Sequence, residues 1–267
     1  MLQSIEFSLS KSVAMMIPND QNINSMDLTH LDFAADKQRY LFLAKKDKTD
    51  FIYNTSALEG NAMTFPEVET LLEGITVGGH KLSDEQQILN QNRSVILLFS
   101  MLEENRFELD KQTVCALHAE VALEEALQWG VFRDGNVNIG GTEYLPPAPE
   151  TLNAVFEAGI KAINKIKHPI MKALTYFLFG ARTQLFYDGN KRVSRLMMNG
   201  ILLSAGYPML NIKAKDKLEF NTQMITFYDS GNYMEALEYL RDYYIEKNRH
   251  IKQLNSKPLA FNLTPKT

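Results

Sequence analysis

The decisive stretch of this sequence is QLFYDGNKRVSR, residues 184–195. It combines an acid, a glycine, an amide and two arginines, and apolar segments of helical character lie on both sides of it. Gly189 permits a tight turn and a close backbone approach, and Asn190 can cap the helix that follows. A helix start presents unpaired N–H groups and the positive end of the helix dipole, which together favour a phosphate. The stretch therefore predicts a loop that binds an anionic ligand.

The charged residues of this stretch suggest what the ligand is. Arg192 and Arg195 are three positions apart and share one face of the helix, where two guanidinium groups can clamp a polyphosphate. Asp188 is a hard oxygen donor suited to Mg²⁺. The alternative is a polar helix start with two surface arginines and a structural aspartate. The apolar residues around Met197 and Ile201 favour the phosphate site, because they bury the helix and a buried arginine needs a partner.

Composition limits the classes of protein. The chain of 267 residues, with 45% hydrophobic and 22% charged residues, is typical of a soluble globular protein, organised as one large domain or as a domain with a helical extension. A formal net charge of −4 argues weakly against nucleic acid as the main partner. The single cysteine, Cys115, excludes an internal disulfide framework and suits a reducing cytoplasm. Because we see no signal pattern and no apolar run that could cross a membrane, we expect a cytoplasmic protein without membrane partners.

Periodicity predicts a mainly α fold with one small β element. Helices are expected over about 32–58 and 110–128, and the pairs Thr64/Glu67 and Ser83/Gln86 are typical of capping boxes at two further helix starts. The segment 130–148, which we call the flap, contains four glycines and two prolines. Its Val137-Asn138-Ile139 alternates in polarity, so the flap is expected to form a β-hairpin or an extended arm.

These features together resemble a known family. The segment resembles the signature loop of Fic domains, whose pattern is His-Pro-Phe-x-Asp/Glu-Gly-Asn-Gly-Arg-x-x-Arg. The matching residues are Phe186, Asp188, Gly189, Asn190, Arg192 and Arg195. His168-Pro169, Gly130-Val131-Phe132-Arg133 and Tyr144-Leu145-Pro146-Pro147 are similar to further family segments, so the resemblance covers roughly residues 55–245.

The resemblance implies a Fic-type helical bundle with a β-hairpin flap and three regions. These would be an N-terminal helical region (1–105), a Fic core domain (106–248) and a C-terminal tail (249–267).

The resemblance also implies a reaction. Such proteins bind ATP with Mg²⁺ and transfer AMP to a Ser, Thr or Tyr hydroxyl of a target protein. By this resemblance Asp188 would hold the metal. The phosphate-binding residues would be Gly189, Asn190, Lys191, Arg192 and Arg195. The flap residues Val137, Asn138, Ile139 and Gly140 would dock the target chain by main-chain pairing.

An upstream segment resembles the inhibitory motif of some Fic proteins. Thr55-x-x-x-Glu59-Gly60-Asn61 has its Ser/Thr-x-x-x-Glu-Gly/Asn pattern. The resemblance implies that Glu59 pairs with Arg195 and keeps the γ-phosphate from seating productively. The alternative for Glu59 is a solvated helix end followed by a glycine C-cap at Gly60.

Two departures from the pattern leave the activity open. Gln184 stands where active members have the histidine that takes the hydroxyl proton, and a neutral amide has no usable basicity near pH 7. Lys191 stands where AMP-transferring members have glycine; the Doc branch of the fold, a kinase, has lysine there, so this residue either adds a phosphate contact or is a solvated lysine. The hypotheses are therefore a Fic-type protein adenylyltransferase, a catalytically silent module that binds nucleotide and protein, and a Doc-like phosphotransferase. The target and the oligomeric state, a homo-oligomer included, are left open.

Overall fold

The computed structural model describes residues 20–251. The start of the chain and nearly all of the predicted tail, 252–267, lie outside these described residues. The helices are α1 (Asp20–Asn24), α2 (Lys37–Lys46), α3 (Lys48–Leu58), α4 (Phe65–Leu72), α5 (Leu82–Glu103), α6 (Lys111–Val121), α7 (Leu152–Ile163), α8 (Pro169–Thr183), α9 (Asn190–Ser204), α10 (Lys217–Ser230) and α11 (Tyr233–Lys247). The prediction of a mainly α fold is confirmed. Within residues 20–251, every helix is too short or too polar to span a bilayer.

Helices α8 and α9 form the centre of the molecule and enclose the loop 184–189. Every residue of α8 from Met171 to Thr183 except Lys172 is buried, and α9 is buried from Arg192 to Leu203. A helix that is apolar around most of its circumference belongs inside a core. Helices α5, α6 and α11 pack around this pair. The loop between α8 and α9 is therefore held on both sides by buried helices.

The N-terminal helices share this core. One buried cluster extends from Ile23 to Ile251, and α3 packs against α4 and α5. The end of α3 is also tied to the start of α10, because Lys217 Nζ donates a hydrogen bond of 2.8 Å to the carbonyl of Ala57. These contacts position Glu59, the residue that directly follows α3, beside α9.

Local signals were only partly sufficient to place helix boundaries. The capping box of Thr64 and Glu67 is confirmed, and its hydrogen bonds lower the pKa of Glu67 to about 2. The box predicted at Ser83 is wrong, since α5 already begins at Leu82. The helix expected to reach residue 128 ends at Val121, because the chain folds back along α6 until the N–H of Gly130 donates to a ring nitrogen of His118.

The predicted β-hairpin of the flap is wrong for the described residues, which contain no strand. Exposure does alternate along the segment, with Val137 and Ile139 half-buried and Asn138 exposed. A ladder needs a partner, and the flap is closed instead by the guanidinium of Arg133. This group donates to the backbone oxygens of Gly135 and Pro147, at 2.7 and 2.6 Å. The polarity pattern thus matches the alternation of exposure, but no paired strand is formed among the described residues.

We expect Gly180→Ala to lower the free energy of unfolding. A Cβ at this position in α8 would overlap Ser194 Oγ on α9, and overpacking of a core typically costs about 1–3 kcal/mol. Urea unfolding measures the difference. Gly78→Ala is the matched control, because a Cβ there meets open space; equal stability of the two variants would contradict this close packing of α8 and α9.

Candidate functional site

The amide side chain of Asn190 closes the loop 184–189. Asn190 Oδ1 accepts a hydrogen bond from the N–H of Phe186, at 2.9 Å, and its Nδ2 donates to the carbonyl of Phe186, at 2.7 Å. The expectation that Asn190 caps α9 is therefore wrong: Gly189, with φ of 73°, is the N-cap, and Asn190 is the first helical residue. Its side chain is used to close the loop.

His118, which could not be placed from the sequence, supports the same loop. Its ring stacks on Phe186 with centroids 3.6 Å apart. Because Nδ1 accepts from the N–H of Gly130, at 3.1 Å, Nε2 carries the proton and donates to the carbonyl of Asp188, at 2.9 Å. Burial lowers the pKa of His118 to about 4, so the imidazole is neutral. A structural role follows, since both ring nitrogens are engaged with the backbone.

Arg133 joins the flap to the loop. Its Nε donates to the carbonyl of Gln184, at 2.6 Å, and its backbone N–H donates to the carbonyl of Leu185, at 3.0 Å. The side chain is almost fully buried. The flap and the loop are therefore held as one unit.

A cavity of about 410 Å³ opens between the loop, the flap and α10. Its wall brings together most of the residues that the sequence selected, along with polar and apolar side chains of α10. The lining includes Glu59, Asn138, Ile139, Gly140, Gln184, Asp188, Gly189, Asn190, Lys191, Arg192, Asn221 and Tyr228. Four predicted residues, Thr55, Gly60, Val137 and Arg195, do not line the cavity: Thr55 is buried in α3, Gly60, with φ of 97°, forms the turn after Glu59, and Arg195 is almost fully buried in α9. The volume lies within the range of about 300–1,000 Å³ that is usual for small-molecule sites.

Glu59 is held by two cations of α9. Its Oε1 pairs with Nη2 of Arg195, and its Oε2 lies 2.9 Å from Nζ of Lys191. Burial of Glu59 opposes its ionisation, but Arg195 and Lys191 outweigh that effect and hold the pKa of Glu59 below its ordinary value. The Nε and Nη1 atoms of Arg195 are buried and have no hydrogen-bond partner among the described residues. Only Nη2 of this guanidinium therefore has a hydrogen-bond partner among the described residues.

Arg192 is paired with an acid that the sequence did not single out. Its Nη1 lies 2.8 Å from Oε2 of Glu125, and the other oxygen of Glu125 accepts from Asn90, at 2.6 Å. The Arg192 side chain is only 3% exposed. Glu125 lies in the turn after α6 and belongs to no recognisable sequence motif. Its pairing with Arg192 could therefore be identified only from the fold.

Gln184 occupies the end of α8, and both the nitrogen and the oxygen of its amide are hydrogen-bonded. Its backbone adopts the left-handed conformation, with φ of 50°. Nε2 donates to the carbonyl of Ala181, at 2.6 Å, and Oε1 accepts from Asn190 Nδ2, at 3.0 Å. The amide therefore stabilises the loop and offers no group that could take up a proton.

Asp188 is the acid that is best placed for a metal. Its side chain is 65% exposed at the cavity, and one oxygen accepts from the N–H of Gly189, at 2.5 Å. Within residues 20–251 no cluster of three or more His, Cys, Asp or Glu residues could hold a metal. A single carboxylate nevertheless fits Mg²⁺, which commonly keeps several waters and completes its shell with substrate phosphates.

Residues 108–202 match the model of the Fic/DOC family. The chain contains a Fic/DOC domain. It is 27% identical over 214 residues to the protein adenylyltransferase Fic of Drosophila erecta, an alignment that covers 75% of this chain and 43% of that protein. The chain thus spans less than half the length of this relative.

Solved structures confirm the fold of the Fic/DOC domain and of the helices around it. A Fic domain-containing signalling protein from Bacteroides thetaiotaomicron has a TM-score of 0.66 and 21% identity, covering 90% of this chain and 98% of that one. Fic-1 from C. elegans has a TM-score of 0.69 and 18% identity, covering 96% and 74%. At these identities the likeness concerns the fold alone.

We expect Glu125→Ala to lower the free energy of unfolding by about 3 kcal/mol, because it leaves the buried charge of Arg192 with only the carbonyl of Val121, at 3.2 Å, and the exposed carboxylate of Asp188, at 3.8 Å. Urea unfolding provides the measurement. The double variant Glu125→Ala/Arg192→Met removes both charges and should recover most of the loss. A double variant that loses at least the sum of the two single losses would contradict a coupled pair.

The stability of the protein should also depend on the protonation of His118. The folded-state pKa, about 4, lies below the ordinary value of 6.5. The unfolded chain therefore binds a proton between these values while the folded chain does not, and stability falls as the pH drops from 6.5 towards 4. The loss approaches about 3 kcal/mol. Unfolding of the native chain and of His118→Gln across this range isolates the effect; the same pH dependence in both would contradict a buried neutral His118.

Proposed function

We propose that this chain binds ATP with Mg²⁺ in the cavity and transfers AMP to a hydroxyl group of a target protein, and that Glu59 restrains this activity. The observation that carries the proposal is the contact of Glu59 with Arg195 and Lys191 at the cavity wall. Two cations of α9 are paired there with an internal carboxylate, as they would be with a phosphate. The name of the Drosophila relative, a protein adenylyltransferase, supports the choice of reaction.

The residues of the chain divide into three roles in this proposal. Arg192, Arg195 and Lys191, with the N–H groups at the start of α9, bind the phosphates. Asp188 holds Mg²⁺, which would neutralise phosphate charge when bound. The flap residues Val137, Asn138, Ile139 and Gly140 would pair their main chain with a segment of the target.

Transfer of AMP requires the target hydroxyl oxygen to bond to the α-phosphorus while the bond to pyrophosphate breaks. The hydroxyl proton must leave as this happens, and a positioned base accelerates such steps by about 10²–10⁴-fold. Gln184 cannot accept it, although the second lone pair of its Oε1 can hold the hydroxyl in place. We therefore expect slow transfer.

The engaged amide of Gln184 favours one alternative, a catalytically silent module that binds nucleotide and a protein partner. The phosphate half of the site is the same in both proposals. In that case the proposed inhibitory region, within residues 1–105, would regulate the binding of nucleotide to the proposed core, 106–248, rather than a reaction. Doc-like phosphotransfer, suggested by Lys191, is a further outcome of the labelling test below.

Replacement of Glu59 should expose the phosphate site. We expect Glu59→Gly to bind ATP–Mg²⁺ about tenfold more tightly than the native chain in calorimetry, because the phosphate no longer competes with a charge-assisted contact. Glu73→Gly is the matched control, since Glu73 likewise ends a helix before a glycine of positive φ but is exposed on the surface. Absence of ATP binding to both the native chain and Glu59→Gly would overturn the nucleotide proposal.

The Glu59→Gly variant also distinguishes adenylyl transfer, phosphotransfer and a catalytically silent site. ATP labelled at the α- or the γ-phosphate is incubated with Glu59→Gly or with Glu59→Gly/Gln184→His, and labelled protein is measured in a cell extract. Transfer of the α label by Glu59→Gly supports adenylyl transfer by the natural site. Transfer only after Gln184→His supports the silent module, and transfer of the γ label supports phosphotransfer.

A further inference from the structure

Lys191 and Arg195 each form an ion pair with a different oxygen of the Glu59 carboxylate. Each cation takes one oxygen, with Lys191 Nζ 2.9 Å from Oε2 and Arg195 Nη2 on Oε1. The two residues are four positions apart on α9, so they project from the same face. Both oxygens of Glu59 are thus occupied from a single helix.

The two contacts differ in their surroundings. The Arg195 side chain is 1% exposed, whereas that of Lys191 is 31% exposed. A pair at the surface is worth less than a buried one and is screened by salt. Lys191 nevertheless acts on the side of the carboxylate that faces the cavity, since Lys191 and Glu59 both line it.

We propose that the ion pair of Lys191 with Glu59, which we call the clasp, helps Arg195 to hold Glu59 in the phosphate site. The lysine at this position of the motif then strengthens the inhibition by Glu59 as well as offering a phosphate contact. This inference rests on the proposed function, because it assigns a regulatory role within the same site. We call the state in which Glu59 is paired with Lys191 and Arg195 the closed state. In this state Lys191 is a positioning residue that holds the carboxylate. In the open state the same ammonium is released to a phosphate.

The two roles of Lys191 have opposite effects on nucleotide affinity. Loss of the clasp makes Glu59 easier to displace, whereas loss of the ammonium removes a phosphate contact. In a chain that retains Glu59 the two effects offset each other. In a chain without Glu59 only the second remains, and this difference separates a clasp from a lysine that serves the phosphate alone.

The test compares ATP–Mg²⁺ affinity by calorimetry in four chains: native, Lys191→Met, Glu59→Gly and the double variant. Methionine keeps the length of the stem without its charge. We expect Lys191→Met to weaken binding in the Glu59→Gly background by about two- to fivefold. In the presence of Glu59 the weakening should be smaller or reversed. Equal weakening in both backgrounds would overturn the clasp.

A second arm of the experiment needs no nucleotide. Urea unfolding of the same four chains should show that Lys191→Met lowers the folding equilibrium constant about two- to fivefold when Glu59 is present, and not when it is absent. Lys161→Met, at an exposed lysine on α7, is the control and should not couple to Glu59. Coupling without ATP binding would support the clasp while removing the proposed function. Absence of coupling would overturn the clasp, whatever the affinity for ATP.

Discussion

Two arginines buried beneath one loop impose a requirement for negative charge that organises this protein. Arg192 and Arg195 are 3% and 1% exposed, and an unpaired charge at such positions would be strongly destabilising. The fold meets the requirement from two directions, with Glu125 from the turn after α6 and Glu59 from the end of α3. Glu125 is further bound by Asn90, whereas Glu59 lies at the cavity wall. In the proposed function, Glu125 is a permanent partner and Glu59 is one that a ligand replaces.

The rigidity of the loop follows mainly from bonds to its backbone. Asn190 closes the loop through the backbone of Phe186, and the neutral imidazole of His118 supports it from α6. Arg133 then ties the flap to the same backbone. Because each of these bonds goes to main-chain atoms of the loop, none of them depends on the side chains at positions 184 and 191. This explains how Gln184 and Lys191 can replace the usual residues of the motif while the cavity is retained.

The sequence was sufficient for the mainly α fold and for the residues that the loop brings to the cavity, because these depend on local periodicity and on a contiguous motif. The pairing of Glu59 with α9 was expected only through the family resemblance, and its second contact with Lys191 was not expected. Glu125 and His118 were missed because their roles arise from contacts between distant segments. The flap was assigned to a hairpin because alternation reports extended backbone, whereas a ladder requires a partner that the alternation does not specify.

In the proposed function, Glu59 occupies the place of a phosphate on Arg195 and Lys191. A crystal structure of the Glu59→Gly variant with ATP and Mg²⁺ would reveal whether a phosphate takes this place. We expect phosphate oxygens within hydrogen-bond distance of Arg195 and Lys191, with the metal at Asp188. A nucleotide bound elsewhere, with both cations turned away from its phosphates, would contradict it.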